Sequence, residues 1–357
     1  MKKYIITARE EKDYTAASKA REDAEAIARK AGYVPFPFRG ERSARESRLS
    51  ALKLIGTTLG NWRRLMKEAE PGSLVLIQYP HFPLKTARLI RWAIPTIRKI
   101  RKIHFVFLVH DLNSIRGFYG KTAVYSDRYV LKEADTIICH NGKMREYLVR
   151  QGIPAEKLIS LEIFDYLTDA PMTEHQLRDG VAIAGNLNPQ KCGYIGKIDQ
   201  VGSESLPIHL YGNGYPQENQ TAYVVCHGAF PAEELPGKIR GGFGLVWDGA
   251  EIMSCQGKTG DYLRVNNPHK LSLYLASGLP VILWNEAAEA GFVEENRVGI
   301  LTSRLTDLEE QIRNLSADDY RAMTERARET GIRLREGSYL ASALEKAEQR
   351  AKEGSKC

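Results

Sequence analysis

The segment from Gly241 to Gly299 constrains the fold most. GGFGLVWDG reads as a strand and a turn, NNPHKLSLYLASG as a helix with a polar head, and LPVILW as a second strand. Apolar runs closed by glycine, without polar alternation, suit parallel strands covered on both faces, and the helix between them supplies a right-handed crossover. Ligands of such sheets sit outside the carboxyl ends of the strands. The unit therefore predicts a crevice lined by Asp248, Gly249 and the stretch Asn266, Asn267, Pro268, His269 and Lys270.

The same alternation runs through the chain. KKYIITA, SLVLIQYP, IHFVFLVHD and ADTIICHN read as strands of a first half, with helices over SKAREDAEAIARKAG, RLSALKLIGTTLGNWRRLMKEA, TARLIRWAIPTIRKIRKIHF and near YSDRYVLKEA. VAIAGN, LPIHLYGNG, AYVVCHGAF, GFGLVW, LPVILW and VGILT read as strands of a second half, with helices over PAEELPGKI, NPHKLSLYLASG and LTDLEEQIRNL. Two doubly wound α/β domains are expected, residues 1–165 and 166–336, with a last helix over about 337–353. The length of 357 residues accommodates both cores, and 43% hydrophobic with 27% charged residues is a globular composition.

Several polar groups fall at strand or helix ends, where chemistry concentrates. At the second-half helix start, Asn266 or Asn267 can cap, Pro268 suits the first turn, and free N–H groups with Lys270 attract an anion such as phosphate; the alternative is a capped helix with a solvated lysine. HDLNSIRG follows a strand end in the first half, placing His110, Asp111 and Arg116 at its crevice. Asp111 is the first candidate general base and His110 the second, against a reading in which Asp111 caps the next helix and His110 packs in the lobe. Thr15 or Ser18 can cap the first helix, with Lys19 beside it, either leaving N–H groups for a ligand or acting as a plain cap.

The pieces also resemble a family. GKTGDYLRVNNPHKLSLYLASGLPVILW, together with LIQYP, FLVHDLNSIRG, ADTIICHNGKMREYLVRQGI, the pair Asp165-Tyr166, AGNLNPQK and GGFGLVWDG in this order, resembles the bacterial glucosyltransferase 3-like glycosyltransferases, which include β-1,6-galactofuranosyltransferases. The resemblance spans most of the chain. It implies a GT-B fold, two Rossmann-like lobes facing a central cleft, with a UDP-sugar on the C-terminal lobe, an acceptor on the N-terminal lobe and the last helix returning to the first lobe. It implies transfer of a hexose, glucose or galactofuranose, to a glycan, glycoprotein or lipid-linked saccharide.

Carried over by position, Lys270 is the leading diphosphate contact and Lys191 the second, after the turn Gly185-Asn186-Leu187. With Asn186, Asn266, Asn267, His269, Asp248 and Gly249 they form the expected donor site, and Tyr211 or Phe230 would flank the uracil unless they are simply buried strand-end aromatics. Thr15, Ser18, Lys19 and Arg116 are the expected acceptor side. No cofactor or metal is implied: cationic side chains and a helix start can stabilise the leaving diphosphate, and no Asp-x-Asp pair follows a strand. Broader GT-B families carry two glutamates eight apart in this lobe, where this chain has Val265 and Leu273. That departure points to an inverting reaction.

Composition narrows the other classes. The net charge of +7 favours anionic partners, but no nucleic-acid-binding module with interleaved basic and aromatic residues is visible. Arg88, Arg91, Arg98, Lys99, Arg101 and Lys102 alternate with Leu89, Ile90, Trp92, Ile94, Ile97 and Ile100, making either a lobe helix with a buried apolar stripe or a membrane-surface helix. No apolar run reaches the about 20 residues needed to span a bilayer, and MKKYIITAREEKD lacks a signal peptide's apolar core. A cytoplasmic protein is expected, with peripheral contact at the inner face of the membrane and homo-oligomerisation left open. Cys139, Cys192, Cys226, Cys255 and Cys357 have no paired spacing and read as free thiols, and the eight histidines form no close ligand pairs with them. A catalytically inactive GT-B scaffold or polymerisation partner is the alternative function, since loss of a base would leave the pattern intact.

Overall fold

The computed structural model of the chain describes residues 1–8, 16–39, 48–80, 86–116, 120–189, 192–257 and 259–354. The strands are β1 (Lys3–Ala8), β2 (Val34–Phe38), β3 (Leu74–Tyr79), β4 (His104–Val109), β5 (Thr136–Cys139) and β6 (Leu158–Ser160), then β7 (Val181–Asn186), β8 (Ile208–Asn213), β9 (Val224–Cys226), β10 (Phe243–Val246), β11 (Val281–Trp284) and β12 (Gly299–Thr302). They form two all-parallel sheets, in the orders β2-β1-β3-β4-β5-β6 and β12-β11-β10-β7-β8-β9. Each sheet doubles back about its first strand, so both lobes have the open crevice expected at a topological switch point.

The apolar runs explain the central strands. Every residue of LVLIQY is buried, as is all of HFVFLV except its first, because helices cover both faces. Two strands escaped the sequence reading. VPFPF is β2, whose prolines are tolerated because it lies at the sheet edge and pairs only with β1, and β6 is three residues long. In the second lobe PAEELPGKI forms no helix beyond a single turn at Leu235–Gly237, since Pro236 interrupts it. A long helix, Ala317–Glu336, was not anticipated. Ser316 caps it through the Asp319 N–H, and Gly337 ends it in the left-handed conformation.

The chain crosses between lobes twice. Residues 161–180 lead from β6 to β7, and the helix Ser338–Gly354 packs on the helix Ala16–Lys30 of the first lobe. Asp165, buried in the first crossing, accepts the N–H groups of Tyr339 (3.2 Å) and Leu340 (2.7 Å), so it caps the returning helix from across the sequence. Burial pushes its carboxyl up to about 7 against the pull of those two donors. Cys139, Cys192, Cys226 and Cys255 are free thiols, and Cys357 lies outside the described residues. Among the described residues no helix is long and apolar enough to cross a membrane.

Candidate functional site

On the second lobe, β7, β8 and β10 end side by side, and the helix His269–Ala276 begins beside them. Gly185 and Gly212 are paired at the ends of β7 and β8, both with positive φ. A Cβ on Gly212 would lie 1.9 Å from the Gly185 carbonyl oxygen, and one on Gly185 would lie 3.3 Å from Lys270 Cε. Only glycine lets these ends close and the lysine stem pass over them. Lys270 Nζ then reaches Asp248 Oδ1 at 3.3 Å and the Trp247 carbonyl at 3.4 Å. Burial works against its charge, but the Asp248 carboxylate holds the ammonium well above the usual lysine range. The pair remains 21% and 28% exposed, open to the cleft.

The helix start differs from expectation. Pro268 occupies the N-cap position and no side chain caps the helix. Asn267 instead fastens the lobes together: its N–H donates to His140 Nδ1 (2.9 Å), and its amide donates to the carbonyls of His140 (3.0 Å) and Glu162 (2.9 Å). Asn141 donates to Asn267 Oδ1 (2.6 Å) and to the Val265 carbonyl (3.0 Å). Because His140 Nε2 faces the Val109 carbonyl, that nitrogen carries the proton and the ring is neutral, and burial pushes its pKa down to about 3. Asn267 is therefore a latch, not a donor contact. Asn266 Oδ1 and both ring nitrogens of His269 are buried and have no hydrogen-bond partner among the described residues. Burial pushes the His269 ring down to about 4, and it stacks on Phe164 at 4.8 Å.

Other expected donor groups vary in position. Asn186 is exposed and its side-chain Oδ1 accepts the Asn188 N–H at 3.0 Å, shaping the turn. Gly249 is buried against Cys255 and Gln256 and serves packing. Tyr211 is buried, with His227 stacked on its ring at 4.8 Å and its hydroxyl accepting the Arg240 N–H, so it offers no free face to a base. Phe230 is half-buried 6.2 Å away. Lys191 lies outside the described residues.

The first lobe presents a tighter cluster. Asp111, just past β4, accepts Arg116 Nη1 at 2.6 Å through Oδ2. Its Oδ1 accepts the hydroxyl of Tyr262 at 3.2 Å, a side chain that reaches across from the second lobe. The same hydroxyl oxygen accepts the Leu112 N–H at 3.0 Å, which leaves its single proton for Asp111. Burial raises the Asp111 carboxyl above the usual carboxylate range, while Arg116 and Tyr262 pull it back. It is more basic than an ordinary aspartate. His110 stacks on Phe164 (5.6 Å) and bonds Gln78 Oε1 (2.8 Å), so its ring is built into the lobe contact.

The sequence missed Tyr262. It sits in GKTGDYLRVNN, where nothing local marks it, and only lobe packing brings it to Asp111. Tyr262→Phe should lower kcat about tenfold, the worth of one hydrogen bond to a charged group. It should move the acid limb of the pH–rate profile upward, because a donor to the ionised carboxylate is lost. An unchanged profile would show that the two groups are not coupled.

Two acceptor-side expectations need correction. Lys19 is buried, paired with Asp23 and donating to the Leu167 carbonyl at 2.5 Å, 5.0 Å above the Tyr166 ring. It ties the first helix to the inter-lobe crossing. Burial pushes the Asp23 carboxyl up to about 6 despite that lysine. Ser18 lies within the first turn of Ala16–Lys30 instead of capping it, and Thr15 lies outside the described residues. The same elements border a groove of about 910 Å³, between Glu22, Asp23 and Lys30 on one side and Glu233, Lys238 and Arg335 on the other. Among the described residues no group of three or more His, Cys, Asp or Glu is placed to hold a metal.

Comparison with known proteins accounts for both lobes. Residues 2–163 match the description glucosyltransferase 3-like, N-terminal domain, and residues 181–347 match its C-terminal domain. The beta-1,6-galactofuranosyltransferase WbbI of Escherichia coli (strain K12) is 34% identical over 255 residues, 69% of this chain and 72% of that protein. Glucosyltransferase 3 of Streptococcus gordonii is 24% identical over 284 residues, 78% of this chain and 80% of the relative. Among solved structures, the lipopolysaccharide outer core galactosyltransferase WaaB superposes with a TM-score of 0.61 at 14% identity, covering 97% of this chain and 99% of that one. Anabaena Alr3699/HepE, solved with UDP and glucose, gives 0.59 at 13% identity, with 97% and 99% covered. Those two likenesses show the fold, and the matched lobes with the WbbI identity show the kinship: the chain belongs to the glucosyltransferase 3-like family of GT-B glycosyltransferases.

Proposed function

We propose that the protein transfers a hexose from a UDP-sugar to a saccharide hydroxyl in one inverting displacement, without a divalent metal. The observation that carries this reading is the Lys270 cradle. A cation passes over paired glycines at the start of a helix, in the crevice where such sheets bind ligands, with Asn266 Oδ1 and the His269 nitrogens nearby in sequence lacking partners among the described residues. An ammonium and a helix start are suited to the charge that develops on a leaving diphosphate, the role a metal fills elsewhere. Across the cleft, Asp111 is a carboxyl group of raised basicity held by two donors, suited to take the proton of an attacking hydroxyl.

The relatives supply the ligand class. HepE was solved with UDP and glucose, WbbI is named for β-1,6-galactofuranosyl transfer, and the Streptococcus relative is named as a glucosyltransferase. Glucose or galactofuranose is the sugar we propose, with a glycan, glycoprotein or lipid-linked saccharide as acceptor. UDP should raise the thermal midpoint of the purified protein, by about 2.7 kcal/mol of stabilisation at a hundred times its Kd. Transfer should persist in EDTA, and product NMR should show an inverted anomeric configuration. Activity lost in EDTA and restored by manganese would overturn the metal-free reading. Absence of both UDP stabilisation and donor turnover would favour an inactive scaffold instead.

A further inference from the structure

The basic helix is not explained by the cleft. In Ala87–Arg101 the stripe of Ala87, Ile90, Ala93, Ile94 and Ile97 is buried on the first sheet, as a lobe helix requires. Its outer face is not ordinary. Trp92 is 65% exposed and Ile100 60% exposed, beside exposed Arg88 and Lys99, and the helix carries no acidic residue. Spacings of four and seven place Arg88, Trp92 and Lys99 on one side.

The neighbouring helix has the same character. Arg48–Glu68 covers the same side of the sheet, burying Trp62 and Leu65 into the core that also takes Ile90 and Ile94. Outward it exposes Leu52 (67%), Ile55 (40%) and Leu59 (43%), and Arg63 and Lys67 continue the stripe from Leu59 at four-residue steps. The acidic groups at its margins are engaged: Glu68 faces Arg64 at 3.9 Å, and Glu133 faces Arg91 at 3.8 Å. Each helix follows a strand and runs back along it, so its N-terminal half lies at the cleft edge. Leu52, Ile55, Arg88 and Trp92 fall in those halves, and Leu59 sits just past the middle of its helix.

We propose that this face docks on an anionic lipid bilayer, with Trp92 and the leucines entering the interface and the basic residues facing headgroups. An apolar surface set among cations, with the marginal carboxylates of Glu68 and Glu133 already paired to arginines, is complementary to such a bilayer, and interfacial tryptophan is its usual anchor. The same charge opposes pairing with a second copy of the face. Docking sets the cleft edge at the membrane surface. Joined to the transferase reading above, on which this last step rests, it makes a lipid-linked saccharide the acceptor class.

The test is flotation of the purified full chain, without donor, on phosphatidylcholine vesicles with and without about 30% phosphatidylglycerol. We expect at least tenfold tighter binding to the anionic vesicles, weakened by salt. Trp92→Ser/Leu52→Ser/Leu59→Ser should abolish binding, and Arg88→Gln/Lys99→Gln should weaken it and flatten the salt dependence, while UDP-induced thermal stabilisation stays as in the parent. Because flotation uses no donor, it stands or falls separately from transfer activity. Binding that ignores lipid charge or survives the triple substitution overturns the proposal. So does sedimentation showing that Trp92→Ser splits an oligomer in a chain that binds no vesicles, which would make the face a self-association surface.

Discussion

Asp111→Asn should lower kcat by about 10² to 10⁴ while leaving UDP affinity nearly unchanged, the range for loss of a general base. The substitution keeps the shape and one acceptor oxygen, so Tyr262 and Leu112 retain their arrangement and the lobe contact survives. What disappears is the negative charge opposite Arg116 and the capacity to accept a proton. The pH dependence provides a second check. Burial raises the Asp111 pKa, so in the parent kcat/KM should climb with pH through a limb above the ordinary carboxylate range. In the asparagine variant that limb should vanish. Single-turnover transfer from UDP-sugar across pH measures both, and near-normal turnover or a retained anomeric configuration would remove Asp111 from the role. His110 is a weaker substitute, because its ring is stacked on Phe164 and bonded to Gln78.

How much of this was legible in the sequence follows from what kind of contact made each feature. The strands β7, β8, β10, β11 and β12 announce themselves as apolar runs closed by glycine or a polar turn, and such runs have few alternatives in a chain of alternating helices. β2 hides because prolines demote a strand, and only its edge position reconciles them with the sheet. The crevice at Lys270 was legible for a local reason: the glycines, the helix start and the lysine belong to three short segments at strand or helix ends, which a parallel sheet gathers on one side.

Features made by one lobe on the other were not legible. Asn267 looks like a helix cap beside a proline, but its partners His140 and Glu162 are more than a hundred residues away, and three hydrogen bonds to them outweigh one to the helix. Lys19 reads as a solvated charge until the crossing at Leu167 and the carboxylate of Asp23 enclose it. Tyr262 reads as one aromatic among many, and acquires meaning only where the second lobe meets Asp111. Long-range pairing is where local pattern carries no information, and in a two-lobed enzyme the cleft is built from it.

Lys270→Ala should weaken UDP binding by about 10²-fold, from two causes that can be separated. The first is loss of a charge-assisted contact to the diphosphate, worth about 1.5–3 kcal/mol. The second is Asp248, whose carboxylate lies 3.3 Å from the ammonium and would be left unpaired in the crevice, facing the incoming diphosphate. Like charges at that range in a half-buried site oppose binding further. Lys270→Ala/Asp248→Asn should therefore recover part of the lost affinity, whereas Asp248→Asn alone should bind UDP at least as well as the parent. Calorimetric titration of the three variants yields the coupling directly as a double-mutant cycle. If Lys270→Ala bound UDP like the parent, the diphosphate would lie elsewhere. If the double variant bound no better than Lys270→Ala, the carboxylate would play no part, and the whole effect would belong to the lysine.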